Sequence, residues 1–131
     1  MSKPRLTHRL FQKDIIFTGY VADAEVPKIV GAATAVTYIS LAEGFGIPIL
    51  EAMQSDVPVV TSNTTSMPEV AGDAAILVNP YSIEEMADAL VRLANDGDLC
   101  QNLIKKGQIQ RGKFNWDKTA ATLYNILKNI E

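Results

Sequence analysis

Disulfide and metal-site chemistry have almost no raw material in this chain, which holds one cysteine, Cys100, and one histidine, His8, among 131 residues. A lone cysteine cannot close an internal disulfide, and no Cys/His cluster with metal-ligand spacing occurs. His8 precedes the first expected strand, so no histidine relay can be assembled; a surface place is expected for it, and the hydroxyls near Ser62 lack a base. Basic side chains are absent from one long stretch, with no Lys or Arg between Lys28 and Arg92. The single basic cluster, Lys105, Lys106, Arg111 and Lys113, is interleaved with apolar residues on a helical pattern, and the net charge is −3. Nothing in that balance attracts a polyanion, so no nucleic-acid partner is expected. No run approaches the roughly 20 apolar residues of a membrane span, and Met1 to Lys13 lack the apolar stretch of a secretory signal. These absences predict a cytoplasmic, metal-free and cofactor-free protein whose membrane contact, in any larger enzyme, is peripheral.

What is present suits one globular domain over residues 1–131, with 47% hydrophobic and 21% charged residues. Four short β-branched and apolar runs, Ile15–Thr18, Ala35–Ile39, Val57–Thr61 and Ala75–Val78, are too apolar to alternate and predict strands buried on both faces. Helical periodicity separates them. Asp23 is followed by Val26, Ile29, Val30 and Ala33, with Pro27 in the first turn, where a lost N–H costs least. Ser82 and Glu85 form a capping-box signature before Met86, Ala87, Leu90 and Leu93, and Asp98 with Gln101 is expected to open the next helix. A last helix from about Asp117 should turn Ala120, Leu123, Tyr124, Leu127 and Ile130 inward, with Trp116 packed beside it, as a helical cap.

Strands alternating with helices imply an α/β, doubly wound, Rossmann-like parallel sheet, with ligands at the carboxyl ends of its strands. That rule gathers Gly19–Tyr20–Val21, the loop from Ser40 to Gly46, and the loop from Ser62 to Ser66 on one rim. The second of these carries the chemistry. Gly44 and Gly46 allow a ligand close to the backbone, and a helix starting near Pro48 adds the positive end of its dipole, a combination suited to phosphate oxygens without basic side chains. Two carboxylates flank the loop: Glu51, expected in the first helical turn, can clamp a vicinal ribose diol, and Glu43 can hold a sugar hydroxyl. Phe45 lies between the two glycines and is open to either ligand contact or core packing; Glu69, after Pro68, suits the first turn of a short helix.

At Glu43-Gly-Phe-Gly-Ile-Pro-Ile-Leu-Glu51-Ala-Met53 the chain resembles the family 4 glycosyltransferases, retaining enzymes of the two-lobed GT-B fold with an E-x7-E motif. Ile16-Phe-Thr-Gly19-Tyr-Val21, Pro58-Val-Val-Thr-Ser62-Asn63 and Met67-Pro-Glu69-Val-Ala-Gly72-Asp-Ala-Ala75 are similar to neighbouring blocks of that family, so the resemblance covers nearly the whole chain. It implies that Glu51 binds the ribose hydroxyls, Glu43 faces the donor hexose as the catalytic residue, and the Gly44, Phe45, Gly46 and Ile47 amides meet the diphosphate and sugar. By the same resemblance the Val21 backbone reads the base, no metal is needed, and the anomeric configuration is kept. Two residues depart from the pattern: Ile39 replaces a proline before Ser40, and Asp56 replaces a glycine ahead of Pro58, where it should alter a tight turn.

The resemblance also implies an acceptor-binding lobe, and an Arg and a Lys gripping the diphosphate, that this sequence does not encode. The expectation is therefore an incomplete C-terminal half of a GT-B fold that binds a nucleotide-diphosphate hexose and is inactive alone, needing a missing lobe or partner chain. A non-catalytic nucleotide-binding or assembly module of the same fold is the alternative. A receiver or flavodoxin-like domain fits less well, because the expected strand ends offer Gly19, Ser40 and Ser62 and no acidic cluster with a phosphoacceptor Asp. Uncovered strand edges and apolar faces predict self-association, strand exchange or a rearranged N-terminal segment.

Overall fold

The computed structural model describes residues 9–130; the surface place expected for His8 lies outside them. After a 3-10 turn, Arg9–Asp14, the chain runs without regular structure to helix α1, Val26–Gly31, which has Pro27 in its first turn as expected. Strand β1, Val36–Tyr38, leads through the glycine loop to α2, Ile47–Gln54, then β2, Val59–Ser62, α3, Met67–Ala71, and β3, Ala75–Val78. The chain ends in α4, Ile83–Asn95, α5, Gly97–Arg111, and α6, Trp116–Lys128. The three strands are parallel in the order β1-β2-β3, with Val36 beside Val59 and Val59 beside Ala75. Crossovers through α2 and α3 make this the Rossmann-like α/β arrangement that the periodicity predicts.

Side-chain alternation along β2 divides the core. Val59 points into a cluster with Ile49, Ala52, Met53, Met67, Val70, Ala71 and Ala74 from α2, α3 and the turn before β3. Its neighbour Val60 points the other way, into Val78, Ala89, Leu93 and Leu103. Successive strand residues face opposite sides, so one dipeptide anchors both layers. Helix α5 reaches both clusters, through Leu103 to one and through Gly107 against Met53 to the other. A Cβ at Gly107 would stand 3.2 Å from the Met53 side chain.

The expectation of four strands buried on both faces needs correction. Ile15–Thr18 joins no ladder, and Ile16 and Phe17 are exposed. A strand draws its hydrogen bonds from a neighbour, and β1 pairs only with β2 among the described residues. Composition alone therefore overstates this segment. Of the three strands that form, only β2 is buried at every residue; Thr37 in β1 and Leu77 in β3 are exposed.

Helix ends largely follow their sequence signals. Ser82 caps α4, its Oγ accepting from the Glu85 N–H at 3.2 Å, but the Glu85 carboxylate accepts from the Asn79 N–H at 2.7 Å rather than reaching back to Ser82. Helix α5 opens at Asp96, not Asp98: the Asp96 carboxylate accepts from the Leu99 N–H at 2.8 Å, leaving Asp98 inside the first turn. The largest departure is α6. Its helix forms, capped by Asn115, yet it buries no residue; Leu123, Tyr124, Leu127 and Ile130 are exposed and Trp116 is 84% exposed. The predicted inward stripe and the packed Trp116 are thus overturned, because among the described residues no element packs closely against that face.

Asp56 occupies a left-handed turn, φ 55°, where glycine is least strained. The carboxylate compensates locally: Arg111 reaches it at 2.9 Å and also donates to the Met53 and Gln54 carbonyls, while Gln108 reaches it at 3.1 Å. The basic cluster of α5 is thereby partly internal scaffolding, with Lys106 paired to Asp73 at 3.1 Å and Lys113 bonded to Gln110 at 2.7 Å.

Candidate functional site

The glycine loop is shaped by hydroxyls of the next strand end. Thr61 Oγ1 donates to the Tyr38 carbonyl at 2.7 Å, and Ser62 Oγ donates to that of Ser40. Thr64 Oγ1 reaches the Leu41 carbonyl at 3.2 Å, and Ser66 Oγ reaches the carbonyls of Glu43 and Phe45 at 2.9 Å each. Coming the other way, the Glu43 N–H donates to Thr65 Oγ1 at 3.2 Å. Thr65 holds φ 50°, a costly conformation for a β-branched residue and one that clusters at functional sites. Turning the loop carbonyls toward this Ser/Thr row leaves its amides facing elsewhere. Among the described residues, the N–H groups of Gly44, Phe45, Gly46 and Ile47 have no protein acceptor.

Gly46 completes the turn. It caps α2 at φ 107°, and a Cβ there would sit 3.1 Å from the Ile49 side chain and 3.8 Å from the Tyr38 ring. Helix α2 has no side-chain cap; Pro48 in its first turn has no N–H and the Ile49 N–H donates to the Gly46 carbonyl at 3.0 Å, so the Ile47 N–H is the helix-start donor left to a ligand. These amides and the helix dipole form an anion-seeking surface without a basic side chain.

The two carboxylates stand in different surroundings. Glu43 is half-buried beside Tyr38; hydrogen bonding to its carboxylate, then desolvation and its negative charge, raise the Tyr38 phenol pKa above its ordinary value of 10.0. Glu51 is exposed and lies on the second turn of α2, not the first. It lines a cleft of about 300 Å³ between α1 and α2, together with Asp23, Val26, Pro27, Val30, Leu50 and Gln54. Glu43 and the glycine loop do not line that cleft, so the structure groups Glu51 with α1 and Glu43 with Tyr38 and the Ser/Thr row.

Of the three rim loops expected together, the second and third interlock, whereas Gly19–Val21 precedes α1 without a strand beneath it. Val21 is half-buried and stands two residues before Asp23 of the cleft. Phe45 packs edge to face on Phe114, ring centroids 5.7 Å apart at 85°. Glu69 takes the first turn of α3, as expected. Sequence reasoning missed Tyr38, Phe114 and the scaffold role of residues 61–66. The density of Ser and Thr from Thr61 to Ser66 was a visible signal for the last of these. Among the described residues no three His, Cys, Asp or Glu side chains converge as metal ligands, and no helix is long and apolar enough to cross a membrane.

A glycine loop at a strand end, opening a helix with unclaimed amides and flanked by carboxylates, is an arrangement suited to an anionic ligand in an α/β fold. The particular family follows from comparison with known proteins. The family model for glycosyl transferases group 1 matches residues 3–110, and the chain belongs to that family. The O-antigen chain mannosyltransferase B of Escherichia coli is 37% identical over 114 residues, which are 87% of this chain and 30% of that protein. The MMP alpha-(1->4)-mannosyltransferase of Mycolicibacterium hassiacum is 32% identical over 122 residues, 89% of this chain and 30% of its own length. A serotype-specific mannosyltransferase of E. coli, WbdA, is 31% identical over 114 residues, 87% of this chain and 14% of that protein. The chain therefore spans 30% or less of the length of these relatives, and α6 lies beyond the family match.

Proposed function

We propose that this chain is the donor-binding portion of a retaining hexosyltransferase, that it takes a nucleotide-diphosphate hexose without a metal or cofactor, and that transfer requires an acceptor-binding lobe from elsewhere. The observation that carries this reading is the set of four consecutive loop amides, Gly44 to Ile47, without a protein acceptor at the start of α2. A diphosphate supplies the oxygens those amides need, and the absence of Lys and Arg between Lys28 and Arg92 makes the backbone the principal anion ligand in this part of the chain. Glu51, on the α1–α2 cleft, is assigned the ribose diol, and the Val21 backbone, two residues before Asp23 of the same cleft, is assigned the base. Glu43 is assigned to the hexose, and the names of the three relatives make mannose the first hexose to test.

Calorimetric titration of the chain with UDP, GDP and their hexose conjugates, repeated on Glu51→Ala, tests the reading. Loss of a charge-assisted bidentate contact should weaken nucleotide binding by about tenfold or more. Absence of binding to every nucleotide would sink the donor-site assignment. A second reading, a non-catalytic assembly module of the same fold, draws on the exposed apolar faces of Ile15–Tyr20 and α6. Transfer regained when an acceptor lobe is supplied decides for the enzyme; binding without transfer decides for the module.

A further inference from the structure

We propose that Phe114 is a positioning residue for the glycine loop: its ring braces Phe45 from the α5–α6 connection, so the loop amides keep the convergence a diphosphate needs. This inference rests on the donor-site reading above and adds a residue outside the segment that the family model matches.

Side-chain hydrogen bonds hold the loop mainly through its carbonyls. Ser66 holds the Glu43 and Phe45 carbonyls, and Thr65 receives the Glu43 N–H, but none of these bonds restrains the Phe45 side chain. Phe45 stands between Gly44, which has open space around its Cα, and Gly46 at φ 107°, two residues with wide backbone freedom. A loop flanked in this way samples several arrangements unless something outside it selects one. Beyond the Ser/Thr bonds to its backbone, the edge-to-face contact at 5.7 Å and 85° restrains its central side chain. Phe114 is in turn half-buried and held by its own backbone, its N–H donating to the Arg111 carbonyl at 3.2 Å, while Arg111 is tied to Met53 and Gln54 at the end of α2. The start and the end of α2 are thus both braced from the C-terminus of α5: the end by Arg111, the loop before the start by Phe114.

Phe114 also precedes Asn115, the cap of α6, and lies two residues before Trp116, the only tryptophan. Binding that reorders Phe45 should therefore change the emission of Trp116, a built-in reporter on the far side of the contact.

The test is nucleotide-sugar titration of the full chain, wild type, Phe114→Leu and Phe114→Tyr, by calorimetry with UDP-glucose and GDP-mannose and by Trp116 fluorescence, with circular dichroism melting to verify folding. Phe114→Leu keeps apolar bulk but removes the ring edge. It should weaken binding by about three- to tenfold, the size of one aromatic pair, and abolish the emission change. Phe114→Tyr, which keeps the ring, should restore both. If the leucine variant is folded and binds as the wild type does, the inference is wrong and the donor site stands. If the leucine variant does not fold, the tyrosine variant decides, because a folded tyrosine variant with lost affinity or lost emission change equally overturns the brace. Failure of the wild type to bind either nucleotide sugar overturns the donor-site reading, and the inference with it.

Discussion

Ile49, Val59 and Met67 are fully buried, whereas Ile16, Leu123 and Leu127, no less apolar, stand in solvent. The difference lies in neighbours. Central residues sit between β1 and β3 and beneath α2, α3 or α4, so their side chains are enclosed from several elements at once. Ile15–Thr18 and α6 are also rich in apolar residues but have no second layer among the described residues, and apolar surface is stabilising only when something excludes water from it. Apolar periodicity in a sequence thus reports a face that needs covering and does not say that this chain covers it.

The sharpest test is truncation in both regions. Ile49→Ala should destabilise the fold by about 2–5 kcal/mol, read by urea denaturation, because a fully buried side chain leaves a cavity between α2 and the sheet. Leu127→Ala should cost no more than about 0.5 kcal/mol, as for other solvent-facing substitutions. Comparable losses at both sites would break the contrast and show α6 packed in solution; sedimentation over a range of concentrations would then reveal whether a second copy covers it.

A smaller effect separates two glycines. Gly72 closes α3 at φ 57° and ψ −132°, and a Cβ there would meet the Gln110 carboxamide at 2.8 Å. That carboxamide donates to the Glu69 and Val70 carbonyls at 3.3 and 3.0 Å, so moving it aside unties α5 from α3. Gly72→Ala should cost about 1–3 kcal/mol from backbone strain and the lost bonds. Gly44→Ala meets nothing within 4 Å and should leave stability within about 0.5 kcal/mol of wild type. Equal thermal shifts in the two variants would contradict this division between a structural glycine and a loop glycine.

Much of the fold was legible in local signals. Pro27, Pro48 and Pro68 mark three helix starts, Ser82 marks a fourth, and Ala75–Val78 has the boundaries the sequence predicts. The errors concern relations between segments. Ile15–Thr18 reads as a strand from composition, but pairing is a property of two segments; α6 reads as an inward-facing helix, but a stripe fixes only the direction of the face. For the site, the glycine loop and the two acids stood out because backbone freedom and charge are encoded locally. Tyr38 and Phe114 did not, since nothing near either residue in the sequence marks what its ring will touch across the fold.

The smallest predicted effect bears on the site itself and contrasts Tyr38 with and without the Glu43 charge beside it. The hydrogen bond to the Glu43 carboxylate favours the neutral phenol, so its folded pKa lies above the unfolded value of 10.0. A group raised in this way contributes stability that is fully present below the unfolded pKa and is lost as pH rises through the folded value, a window entirely on the alkaline side. Tyr38 should therefore ionise above the ordinary tyrosine value in an NMR titration, and Glu43→Gln, which removes the charge while preserving shape, should draw it back toward that value. If Tyr38 ionises at the ordinary value in the wild type, the Glu43 carboxylate points elsewhere in solution, and its assignment to the hexose loses the support of a fixed orientation.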